Sequence, residues 1–228
     1  MNNYIFVIIG VGGIGGNIAR DLPKLLINSK HKLMLIDGDI VEKKNCVRQP
    51  FQEQDIGENK ARVLARKINS FYPLQCTYLD SYITACELQI LLTRHIKAKN
   101  IPVLIGAVDN DATRELIEKA FDSFENAILI DGANGEYDGN VYCCYRKDNK
   151  QYGKKRSDVY QLKKDINPGT IGCEEQIAKG SLQFLITNNK VASVMLEYLY
   201  EVILNDFLLS KKIPKGVTKI ERFKTFYY

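Results

Sequence analysis

The chain opens with apolar and polar positions in an order that recurs along its length. Tyr4 to Ile9 is an unbroken apolar run that ends abruptly in Gly10-Val11-Gly12-Gly13-Ile14-Gly15. A β-branched run bounded by glycine reads as a strand buried on both faces. Ile14, Ile18, Leu22 and Leu26 then recur at four-residue spacing, which predicts a helix laid on a sheet and kinked or shortened at Pro23. Leu33 to Ile36 is a second apolar strand, and it runs into Asp37.

The alternation continues. Ala61, Leu64, Ala65 and Ile68 give the inward face of a helix from about Gly57 to Phe71, with Asp55 as its cap. A strand from Cys76 to Ile83, a helix from Ala85 to Lys97 and a buried strand from Ile101 to Val108 follow. Asp109-Asn110-Asp111 comes next, with Asp111 as the expected cap of a helix from Ala112 to Phe121. Ile128 to Ile130 is a further strand, and Asn140 to Tyr145 starts a different sheet segment. Val191, Val194, Met195, Tyr198, Leu199, Val202 and Ile203 form the stripe of a long amphipathic helix over Asn188 to Leu209, for core packing or a dimer face. Gly216 to Phe226 alternates as one closing strand. Strands alternating with helices predict an α/β fold: a Rossmann-like, mostly parallel sheet flanked by helices, with a C-terminal antiparallel extension.

Composition narrows the class. With 228 residues the chain is long enough for one substantial core, and 45% hydrophobic with 26% charged residues is ordinary for a soluble globular protein. It has no apolar run of membrane-spanning length, and its first strand carries no basic leader or cleavage pattern. No membrane association is expected, and the cytoplasm is the expected location.

The chemistry lies at the strand ends. The first strand opens into G-x-G-x-x-G (Gly10, Gly12 and Gly15, with Gly13 between) and then a helix, the arrangement of a nucleotide cradle. Asp37 ends the next strand, where a carboxylate accepts hydrogen bonds from ribose hydroxyls. These features alone suit either a dinucleotide or a triphosphate. The loop from Gly38 to Asp55 is long for a compact domain, as functional loops are, and carries Asn45, Arg48 and Gln49, with Lys60 following. A nicotinamide site has no use for two cations and an amide there. A triphosphate does, because Arg and Lys neutralise and orient its phosphates.

The GVGGIGG, LIDGDIVEKKNCVRQ, DIGENKA and AVDN segments together resemble the adenylating enzymes of the ThiF/MoeB/HesA type, relatives of the ubiquitin-activating enzymes. The resemblance covers residues 4 to 145 well and the rest loosely. It implies that Asp37 holds the ribose, that Asn45, Arg48 and Lys60 hold phosphates, and that Asp109 serves magnesium–ATP. The implied cofactors are ATP and Mg2+. The implied reaction is adenylation of the C-terminal carboxylate of a small ubiquitin-like or sulfur-carrier protein. The chain then reads as one adenylation domain, with a nucleotide-binding half at 1–135 and a carrier-binding, crossover half at 136–228. A homodimer is expected. Dimeric members often borrow an arginine from a partner's N-terminal helix, and Met1 here directly precedes the first strand, so that cation is expected to come from elsewhere, to be missing or to be completed by another subunit; the alternative reading is a non-catalytic or half-site subunit that binds the carrier.

Other motifs carry less. The six cysteines (Cys46, Cys76, Cys86, Cys143, Cys144 and Cys173) contain no C-x-x-C pair, so no structural zinc site is expected. By the resemblance, Cys173 takes the activated carrier as a thioester or enters sulfur transfer. The alternative is a packed or exposed thiol, and neighbouring Glu174 and Glu175 oppose thiolate formation. His31 and His95, the only histidines, are expected to be structural or solvated. Arg146 to Lys164 holds eight basic residues against two acidic ones, a net of plus six in a chain whose total is plus five. It reads as a solvated loop or as a surface that steers an acidic partner. Its aromatic interleaving is too sparse for nucleic acid, which is not an expected partner.

Overall fold

In the computed structural model the described residues are 3–96, 100–165, 185–205, 215–222 and 224–228. Five strands, β1 (Asn3–Ile9), β2 (Lys32–Ile36), β3 (Cys76–Leu79), β4 (Asn100–Gly106) and β5 (Ala127–Asn134), run parallel in the order β3-β2-β1-β4-β5. Four more add antiparallel: β6 (Gly139–Lys147) on β5, β7 (Lys150–Tyr152) and β8 (Gly216–Glu221) on β6, and β9 (Lys224–Tyr227) on β8. This is the mostly parallel sheet with an antiparallel extension that the pattern predicts.

Period-two alternation on strands buried from both sides divides the core. Tyr4, Phe6, Ile8, Leu33, Leu35, Val103 and Ile105 face α1 (Gly13–Leu26), α2 (Lys60–Phe71) and α5 (Leu185–Leu204). Ile5, Val7, Ile9, Met34, Ile36 and Leu104 face α3 (Ala85–Ile96) and α4 (Asp111–Asp122). Each large apolar side chain buried this way contributes about 2 kcal/mol. Among the described residues no helix is long and apolar enough to cross a membrane.

Several boundaries differ from the sequence reading. The α2 helix starts at Lys60, capped by Asn59, whose side chain accepts from Arg62 N; Asp55 instead closes a short 3-10 turn at Glu53–Asp55. The cap of α4 is Asn110 rather than Asp111: Asn110 is extended (φ −127, ψ 144) with its Oδ1 accepting from Thr113 N, and Asp111 is already the first helical residue. The third strand stops at Leu79, and Pro23 lies inside α1, which ends three residues later. The expected single strand over Gly216 to Phe226 is a hairpin, β8–β9, turning at Arg222. Of the predicted stripe on α5, Val191, Val194, Met195, Leu199 and Val202 are buried in the core.

Part of the basic segment is structural rather than solvated. Residues 150–152 form β7, and Arg156 is only 2% exposed, donating to Asp131 on β5 and to Asn140 on β6. Cys76, Cys143 and Cys144 are buried, and burial pushes the Cys76 thiol up to about 12. His31 is structural: its Nδ1 accepts from Tyr4 N at 3.2 Å, and burial holds its pKa below the usual value.

Candidate functional site

In an open α/β sheet the ligand crevice lies beyond the carboxyl ends of the strands, where the strand order reverses. Here that point is between β1 and β4, which pair in register up to Ile9 and Gly106. The chain leaves β1 through Gly10 and leaves β4 through Ala107, Val108 and Asp109. Ala107 N donates to Ile9 O at 2.9 Å, and Gly10 N donates to Ile36 O at 2.9 Å. The glycine loop, the end of β2 and the loop bearing Asp109 are thus joined by backbone bonds.

The glycines divide by what surrounds them. Gly10 has φ +83, and a Cβ there would stand 2.8 Å from the Ala107 carbonyl oxygen. A Cβ on Gly15 would stand 1.8 Å from the Gly10 carbonyl oxygen, so only glycine admits the close packing of α1 on β1. At Gly12 a Cβ would meet only Gln49 Nε2 at 3.7 Å, so this position borders open space at the start of α1. The α1 helix has no side-chain cap, which leaves its N-terminal N–H groups and dipole for an anion.

Around this cradle stands a charged cluster. Asp37 Oδ2 accepts from Val11 N at 2.7 Å and Oδ1 from Asp39 N at 2.8 Å. Each oxygen keeps a second lone pair for a hydroxyl donor. Lys60, the first residue of α2, places its Nζ 2.7 Å from Asp39 Oδ2, and Tyr82 OH donates to Asp39 Oδ1. Asn59 Nδ2 donates to the carbonyl oxygens of Asp37 (2.8 Å) and Asp39 (3.1 Å), tying the end of β2 to the start of α2.

Burial pushes the Asp37 carboxyl up to about 6, against the pull of Lys60. For Asp39 burial acts in the same direction, but the charge and hydrogen bond of Lys60 outweigh it and hold the carboxyl below its usual range. Burial alone would depress Lys60; the charges of Asp37 and Asp39, with a contribution from Asp109, raise it instead. Lys60 is therefore a fixed cation facing three carboxylates.

The other predicted residues are distributed around the same edge. Asn45 is buried and closes the 3-10 turn at Lys43–Asn45, its Oδ1 accepting from Glu42 N at 2.8 Å. That leaves its amide nitrogen for any ligand. Arg48 is half-buried in the turn after it, with Arg48 N bonded to Asn45 O at 3.1 Å. Asp109 is exposed on the loop after β4. Cys173 lies outside the described residues.

Asp39, Tyr82, Asn59 and Asn188 join the site without having been singled out by sequence. Asp39 carried a signal in the D-x-D spacing, and Asn59 in its place before an amphipathic helix. Tyr82 and Asn188 carried none. Asn188, on α5 and fully buried, accepts from Asn134 Nδ2 at 2.9 Å and presses its own Nδ2 against Gly13, where a Cβ would stand 2.4 Å away.

These residues fit a nucleotide and its metal. Asn188 Nδ2 and Gln49 Oε1 are buried beside the glycine loop without a hydrogen-bond partner, as polar atoms awaiting a ligand are. Among the described residues no group of three or more His, Cys, Asp or Glu is arranged to hold a metal by itself. Magnesium bound with substrate phosphates needs only one or two protein carboxylates, and an exposed carboxylate, Asp109, stands at this edge.

Comparison with known proteins agrees with this geometry. A curated relative, the SAMP-activating enzyme E1 of Haloferax volcanii, is 25% identical over 178 residues, which are 73% of this chain and 62% of that protein. Among solved structures, PaaA superposes with TM-score 0.68 at 16% identity, covering 99% of this chain and 63% of its own. E. coli MccB with ATP superposes with TM-score 0.66 at 19% identity, covering 99% and 62%. The chain therefore spans a little under two thirds of the length of these relatives, and the structural likenesses establish the shared fold. The model of the ThiF family matches residues 1–225, nearly the whole sequence, and the chain belongs to that family.

Proposed function

We propose that this chain adenylates the C-terminal carboxylate of a small ubiquitin-like or sulfur-carrier protein, with magnesium–ATP as the nucleotide. The observation that carries the reading is the convergence of Lys60, Asp37, Asp39 and the Asp109 loop on the glycine-loop edge of the sheet. The names of the relatives support it: the Haloferax volcanii protein is a SAMP-activating enzyme E1, and MccB was solved with ATP and with AMPCPP and MccA.

In this reading the α1 N-terminus and Gly12 take the phosphates, and Asp37 takes the ribose. Lys60 and Arg48 neutralise and orient the phosphates, with Asn45 and Gln49 as hydrogen-bonding partners. Asp109 holds magnesium, which when bound offsets the charge that accumulates on the leaving pyrophosphate. A carrier carboxylate oxygen bonds to the α-phosphorus while the bond from that phosphorus to the bridging oxygen breaks. The nucleophile is already ionised, so the protein supplies position and charge neutralisation rather than a general base. The half at 136–228 contacts the carrier, and the working unit is a dimer.

The test is pyrophosphate–ATP exchange in the presence of candidate carriers ending in Gly-Gly. Exchange that requires the carrier and is lost in Arg48→Ala supports the reading; undiminished exchange in Arg48→Ala contradicts it. Transfer from the adenylate to Cys173 is a separate step in the proposal. Cys173→Ala is expected to keep exchange and to lose any thioester with the carrier.

A further inference from the structure

Asp109 sits on a loop whose neighbours are held by a part of the chain more than forty residues away. On its C-terminal side α4 begins, and three first-turn N–H groups need acceptors. Asn110 Oδ1 takes Thr113 N at 2.8 Å. The other two go to one carboxylate: Asp165 Oδ2 accepts from Asp111 N at 2.8 Å and Oδ1 from Ala112 N at 2.6 Å. Asp111, displaced from the cap, is buried and accepts from Arg114 Nη1 (2.7 Å), Lys163 N (2.9 Å) and Tyr160 OH (3.1 Å). On the N-terminal side, the Val108 carbonyl accepts from Arg114 Nη2.

The holding segment is itself anchored. Arg156 donates to Asp131 beneath the sheet end and lies over the Tyr142 ring at 4.6 Å, and Ser157 OH and N donate to Glu118 on α4. None of these contacts involves the glycine loop, Asp37 or Lys60.

We infer that residues 156–165, through Asp165 and Tyr160, position the Asp109 carboxylate by fixing the first turn of α4, so that magnesium-dependent nucleotide binding depends on a segment whose bonds described above go to α4 and the sheet end rather than to the glycine loop, Asp37 or Lys60. The physical basis is that a metal-facing carboxylate loses affinity when the groups orienting it are freed. Releasing Asp165 frees two α4 donors, Asp111 N and Ala112 N, and leaves the Gly10–Asp37–Lys60 cluster unaltered. This rests on Asp109 being the magnesium residue.

The experiment uses the full chain as wild type, Asp165→Ala, Asp165→Asn and Asp109→Ala. ATP binding is measured by calorimetry across a magnesium chloride series and in EDTA, with thermal melting alongside. Asp165→Ala is expected to need about tenfold more magnesium for half-maximal ATP binding, while its affinity in EDTA stays within about twofold of wild type. Asp165→Asn keeps one acceptor oxygen and is expected to shift less, and it serves if Asp165→Ala does not fold.

An unchanged magnesium requirement in both Asp165 variants overturns the inference. So does an equal loss with and without magnesium, which marks a structural role only. If Asp109→Ala shifts the requirement and the Asp165 variants do not, the positioning role alone falls. If Asp109→Ala leaves it unchanged, the assignment of Asp109 falls and the inference with it.

Discussion

The ammonium of Lys60 lies 2.7 Å from Asp39 Oδ2, with the Lys60 side chain 7% exposed and that of Asp39 45% exposed. Removing the more exposed partner strands the more buried charge, and that asymmetry sets the first prediction. Asp39→Ala is expected to lower unfolding free energy by about 2 kcal/mol, a buried-pair cost reduced because Asp39 faces water and Asp37 remains nearby. Urea denaturation measures it, and a variant as stable as wild type contradicts it.

The glycines of one loop are expected to separate fold from function. Gly15→Ala drives a methyl into the Gly10 carbonyl and is expected to cost about 3 kcal/mol, the upper range for overpacking. Gly12→Ala meets only the Gln49 amide, but its backbone (φ −80, ψ −129) lies outside the regions that side chains favour, so it is expected to cost about 1 kcal/mol, well below Gly15→Ala. Its methyl enters the phosphate cradle, so ATP affinity is expected to fall at least about tenfold. Melting curves and nucleotide titrations of the two variants check both halves; a Gly12→Ala protein that binds ATP as wild type removes the cradle assignment.

Asp37 gives a pH signature. Its folded carboxyl is raised to about 6, above the usual carboxylate value of 3.8. Between these values the folded state binds more protons than the unfolded one, so this group's contribution to stability falls as pH rises. Below that window the cost is absent, and above pH 6 it is complete. Asp37→Asn has no such charge to bury. Its stability relative to wild type is therefore expected to rise from pH 4 to pH 6 and then level off. Denaturation at pH 4, 5, 6 and 7 tests this; a constant difference refutes it.

Much of the architecture was legible because buried parallel strands are apolar throughout and glycine marks where they end. The glycine loop, Asp37 and the Asp109 loop were found for that reason. The cap of α4 was misread because Asn110 and Asp111 are both good capping residues, and geometry alone chose between them. The β8–β9 turn escaped notice because alternation runs through Arg222, a residue without a turn signature that adopts φ 45 while its N–H is held by Asp138 Oδ1 at 2.8 Å. Asn188 and Asp165 reach the site from 175 and 54 positions away in sequence, measured to Gly13 and Asp111. No local pattern reports such a contact. Arg156 was read with a basic loop because sequence gives its charge and not its burial against Asp131.

The most direct test of the nucleotide assignment is calorimetric titration of the purified protein with magnesium–ATP and, separately, with NAD, repeated on Arg48→Ala. Binding of ATP in preference to NAD is expected, weakened at least about tenfold when the Arg48 charge is removed. Binding of NAD without binding of ATP would contradict it and leave the Rossmann-like architecture without the proposed chemistry.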